Sequence, residues 1–104
     1  MTAIFLAAAI FSEVAATVAL KASDGLSRPM PAAIVVVGYG ASFWLLALVL
    51  KHLSVGTTYA VWSAVGTAAI ALIGMLAYGE AANALKLASL GLIVVGVIGL
   101  NVSN

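Results

Sequence analysis

Polar positions along the chain are gathered rather than dispersed. Charges and turn formers collect in KASDGLSRPMP at 21–31, KHLSVG at 51–56 and YGEAANALK at 78–86. Between them lie four long runs of Ala, Val, Leu, Ile and Gly, and none of these shows the period-2 alternation that a barrel strand would need. The runs predict four helices over 2–20, 32–50, 57–77 and 85–101. Each approaches the ~20 residues that cross a ~30 Å hydrocarbon core, the last being the shortest. The expectation is an all-α membrane protein, one transmembrane domain over 1–104. Connections of a few residues make consecutive helices antiparallel neighbours.

Composition strengthens this picture. Of 104 residues, 65% are hydrophobic and 7% charged, and the mean hydropathy is +1.28, far above that of a soluble domain. The first run lacks a basic leader and carries an acid at its centre, so it reads as a retained helix rather than a cleaved signal. The absence of Cys and the single His leave no disulfide or metal cluster to consider. No Gly-rich phosphate loop is present, which excludes ATP-driven chemistry, and no nucleophile–base pair stands at a recognisable spacing, which argues against an enzyme.

With four spans, the 21–31 and 78–86 loops share one side of the membrane. Lys21, Arg28 and Lys86 lie there, against Lys51 on the other side, a bias of three to one. The positive-inside rule therefore leans toward cytoplasmic 21–31 and 78–86 loops. A bias this small permits insertion in both orientations, and hence head-to-tail pairing of two copies.

Glu13, within AAAIFSEVAATVAL at 7–20, is the only carboxylic acid inside any run. Placing an acid at mid-span costs ~2.5–3.5 kcal/mol on insertion scales, so it is expected to face a cavity or partner and to have a function. The competing structural role is polar glue between helices. Leu6, Ala9, Ile10, Ala16, Thr17 and Leu20 share its face by helical spacing, a mostly small wall that leaves room for a ligand.

Aromatics follow on the next two helices. Tyr39 and Phe43 stand one turn apart with Ser42 alongside, and Tyr59 and Trp62 stand three apart. Their π-faces attract cations by ~0.5–2 kcal/mol each. An interfacial aromatic belt is the alternative, most applicable to Tyr59 and Tyr39. Ser89 and Gly96, two turns apart on one stripe of the last helix, suit a helix–helix seam and so dimerisation.

The segments SEVAATVALKASDGLSRPMP, YGASFWLLALVLKHLSVGTTYAVWSAVG and GLIVVGVIGLN resemble the small multidrug resistance family of bacterial inner-membrane exporters, and with the four-span layout the likeness covers almost the whole chain. It implies an antiparallel dimer of dual-topology subunits that exchanges protons for hydrophobic or quaternary ammonium cations in the lipid bilayer. No cofactor, metal or nucleic-acid partner is implied. Carried over by position, Glu13 is the shared proton and substrate site. Tyr39, Ser42, Phe43, Tyr59 and Trp62 line the pocket, and Ser89 and Gly96 stand at the dimer seam. SFWLLA and YAVWS look like the drug-exporting branch. The guanidinium exporters typically carry Trp three residues after the acid, where this chain has Ala16. One half of a heterodimeric exporter, a guanidinium-type exporter and a non-transporting assembly module are the alternatives.

Overall fold

The computed structural model describes residues 1–103, and every regular element among them is an α-helix. The helices are α1 (Thr2–Ala22), α2 (Pro29–Val49), α3 (Val55–Ala77) and α4 (Ala84–Ser103), all long and apolar enough to cross a membrane. The chain is thus a multi-pass membrane protein of all-α class. It divides into two units, Met1–Leu53 and Ser54–Asn104, each a helical hairpin.

Helix limits differ from expectation where prolines stand. The span expected from residue 32 begins at Pro29, because proline at the first helical position loses only an N–H that would have no helical partner, and its fixed φ suits the helix. At the other end of the chain α4 runs to Ser103, so the helix that looked short has 20 residues, enough to span. Asn83 starts it by accepting the Lys86 N–H on its Oδ1 at 2.8 Å, a side-chain cap.

In the first hairpin, Ser23 organises the connection. Its Oγ donates to the Leu20 carbonyl (2.7 Å) and accepts from the Leu26 N–H (2.9 Å), while its carbonyl accepts from the Arg28 N–H (3.0 Å). These bonds hold Asp24, Gly25 and Leu26 at positive φ (49°, 70° and 68°), which reverses the chain within six residues, 23–28. α1 and α2 then run antiparallel, with Ala9 opposite Ser42 and Ala16 opposite Gly38. Ala9, Ala16 and Ala19 are buried on α1, and Val35, Ser42 and Val49 on α2. A Cβ at Gly38 would stand 2.8 Å from the Ala16 Cβ and 3.2 Å from the Ser12 carbonyl oxygen, so only glycine allows this approach.

The second hairpin is looser. α3 buries Thr58, Gly66 and Gly74, whereas α4 buries no residue. Between them the backbone folds back: the Tyr78 and Glu80 N–H groups both donate to the Gly74 carbonyl (3.1 and 3.0 Å), and the Glu80 carboxylate lies against the Gly74 Cα, where any side chain would meet it.

Candidate functional site

Glu13 lies midway along α1, half-buried, and its Oε2 is shielded with no hydrogen-bond partner among the described residues. The Lys and Arg residues of its own hairpin, Lys21, Arg28 and Lys51, lie at or beyond the helix ends. A polar atom so placed in an apolar segment costs free energy unless a proton, a cation or a partner group meets it.

One turn along, Thr17 carries a two-step hydroxyl chain. Its Oγ1 lies 2.9 Å from the Glu13 carbonyl oxygen, to which it donates, and 2.6 Å from the Tyr39 hydroxyl of α2. Tyr39 in turn stacks on Phe43, centroids 6.5 Å apart and planes 21° apart, and Phe43 is more than half exposed. The first hairpin therefore ties the Tyr39 ring, itself stacked on Phe43, to the turn of α1 that carries Glu13.

Two residues of the expected wall are spent otherwise. Ala9 and Ala16 have no exposed surface, because α2 packs directly on them, so the small residues on Glu13's face serve close helix approach rather than ligand space. Ser42, expected among pocket residues, is likewise fully buried, and its hydroxyl donates to the Ala9 carbonyl at 2.8 Å. Its place is in the interhelical seam, where it ties α2 to α1.

A groove of about 430 Å³ does exist on this hairpin, but on its other side. Phe11, Ala15, Ile34, Val37, Gly38 and Ala41 contribute to its wall, with Ser12 the only polar side chain there. Its walls offer apolar contact and no charge, so the chemistry stays with Glu13.

The second hairpin holds the other aromatic pair. Tyr59 and Trp62 stand 5.7 Å apart at 44°, Tyr59 well exposed and Trp62 partly so, and Ser63 Oγ donates to the Tyr59 carbonyl at 2.8 Å. On α4, Ser89 Oγ donates to the Leu85 carbonyl at 2.8 Å, one turn back, and a Cβ at Gly96 would meet nothing within 4 Å. Both seam candidates are exposed in the single chain. The hydrogen bond between Thr17 and Tyr39 had no counterpart in the sequence pattern; only the helical face shared by Thr17 and Glu13 could have pointed to it.

A family model described as Small Multidrug Resistance protein matches residues 1–93. The quaternary ammonium compound-resistance protein QacE of Escherichia coli is 47% identical over 98 residues, covering 94% of this chain and 89% of that protein. The multidrug resistance protein Mmr of Mycobacterium tuberculosis is 45% identical, covering 100% of this chain and 98% of its own. A protein of Pseudomonas aeruginosa named as a multidrug transporter is 43% identical over 91% of this chain and 86% of its own.

Proposed function

The chain belongs to the Small Multidrug Resistance family, and from that premise we propose that it is an antiporter of the bacterial inner (cytoplasmic) membrane, exchanging protons for hydrophobic or quaternary ammonium cations. The observation that carries this is Glu13: a lone acid in a membrane run, one oxygen without a partner, with Tyr39 and Phe43 on the adjoining helix. The names of QacE, for quaternary ammonium compounds, and Mmr, for multiple drugs, support the substrate class.

Glu13 binds either protons or the organic cation, and strict competition supplies the coupling. Each ligand shifts the conformational equilibrium only by its differential affinity, so exchange requires that the empty, charged site change sides poorly. Tyr39 and Phe43, with Tyr59 and Trp62 of the second hairpin, offer π-faces to the cation. Ser42 contributes by fixing α2 against α1. The functional unit is an antiparallel homodimer. The three-to-one charge bias is small enough for dual insertion, and the exposed Ser89–Gly96 stripe of α4 leaves backbone open to a second copy.

Adding tetraphenylphosphonium to the detergent-solubilised protein in weak buffer is the test. Cation binding should release protons, and the release should vanish when Glu13 is replaced by Gln. Saturable binding with no proton release would overturn the exchange mechanism.

A further inference from the structure

The hydroxyl chain running from Tyr39 through Thr17 to the Glu13 carbonyl has a direction. A threonine hydroxyl carries one proton. Donated to the Glu13 carbonyl 2.9 Å away, that proton leaves Thr17 Oγ1 only lone pairs for the Tyr39 hydroxyl at 2.6 Å. The phenol must then donate to Thr17. This polarity also matches intrinsic chemistry, since a phenol is a better proton donor than an aliphatic alcohol. The outcome is a Tyr39 whose single proton is occupied and whose oxygen has only lone pairs left to offer. Its ring is held at two places, by Thr17 at the hydroxyl and by the stack on Phe43.

We infer that Thr17 is a positioning residue for substrate selection: its hydroxyl fixes the Tyr39 ring and turns the phenol oxygen into an acceptor one helical turn from Glu13. The turn of α1 that carries Glu13 then has a lone-pair oxygen and π-faces tied to it, which like a carboxylate attract cations, and the phenolic proton of Tyr39 is taken up by Thr17. The hydrogen-bond polarity stands on the geometry alone; the role in selection rests on the transport function proposed above. A purely mechanical tie between α1 and α2 would need the same bond but would be indifferent to which cation binds.

The experiment has a spectroscopic and a binding arm. For the first, Tyr59 and Tyr78 are replaced by Phe, which leaves Tyr39 as the single tyrosine. Ultraviolet resonance Raman of its ring doublet then reports whether the hydroxyl donates or accepts. The donor signature is expected, and it should be lost in Thr17→Val and kept in Thr17→Ser. An acceptor signature would overturn the assigned polarity. In the second arm, tetraphenylphosphonium and tetrapropylammonium are titrated into the full chain. Thr17→Val should weaken the aromatic cation about three- to tenfold, the size of one hydrogen bond, and the alkyl cation distinctly less. Thr17→Ser should restore the original preference. In a Tyr39→Phe background, Thr17→Val should have no further effect on the preference. Equal weakening of both cations, or full additivity of the two substitutions, would reduce Thr17 to a structural tie. Failure of the unmodified protein to bind either cation would sink the transport function and the selection role together, while leaving the Raman result on the hydrogen bond intact.

Discussion

The two hairpins use the same building material differently. In the first, small residues are consumed internally: Ala9, Ala16 and Gly38 let the backbones close up, and Ser42 and Tyr39 each bond across to α1. In the second, Gly91, Gly96 and Gly99 lie in open space and α4 buries nothing. Among lipid tails no hydrophobic force drives helix against helix, so association depends on close packing and interhelical hydrogen bonds. The first hairpin satisfies that requirement within one chain. α4 retains an unfilled small-residue face, the one proposed above to meet a second copy. The difference teaches that glycine in a membrane helix has to be interpreted by what its absent Cβ would touch.

The largest expected effect sharpens what the first hairpin is for. Glu13→Gln keeps size and polarity but holds no negative charge. We expect cation binding at neutral pH to weaken by on the order of 2–5 kcal/mol, the loss typical when one partner of a desolvated charge pair is removed, and proton-driven uptake in liposomes to disappear. Uptake retained by the Gln variant would leave the first hairpin a structural element only.

A second pair of substitutions tests the contrast in packing directly. Gly38→Ala places a Cβ against Ala16 and the Ser12 carbonyl, an overpacking cost of about 1–3 kcal/mol, against which the helix propensity of Ala returns at most about 1 kcal/mol. Thermal unfolding in detergent should show a net loss. A Cβ at Gly96 meets nothing within 4 Å, so the same assay on Gly96→Leu should barely move, while the dimer fraction measured by cross-linking in lipid falls. Equal effects of the two variants on chain stability would erase the distinction between the hairpins.

The smallest effect concerns the second hairpin's share in the site. Trp62→Ala should weaken tetraphenylphosphonium by about 0.5–2 kcal/mol, the value of one cation–π contact, with little change in dimer fraction. If dissociation of the dimer is instead the main consequence, Trp62 belongs to assembly and the cation site draws on the first hairpin alone.

Much of the molecule was determined by residue order. Only helices and closed barrels satisfy their backbone groups inside a bilayer, and four apolar runs of ~20 residues without period-2 alternation leave the helix, so class and span number followed from pattern and spacing. The isolation of Glu13 was visible too, because an acid among Ala, Val and Leu needs no neighbours to be recognised as out of place. Which small residues face a partner helix was not visible. Ala9 and Ala16 share a face with Glu13 by helical arithmetic, yet whether such a face receives a ligand or a neighbouring backbone depends on where α2 crosses, and that is set by contacts 22 to 33 residues away in sequence, such as Ala16 to Gly38 and Ser42 to Ala9. The same crossing buried Ser42 and brought the Tyr39 hydroxyl to Thr17. A periodic pattern fixes which residues lie on which side of one helix. Pairing residues between helices requires the register and distance of two helices together, and only the tertiary structure decides those.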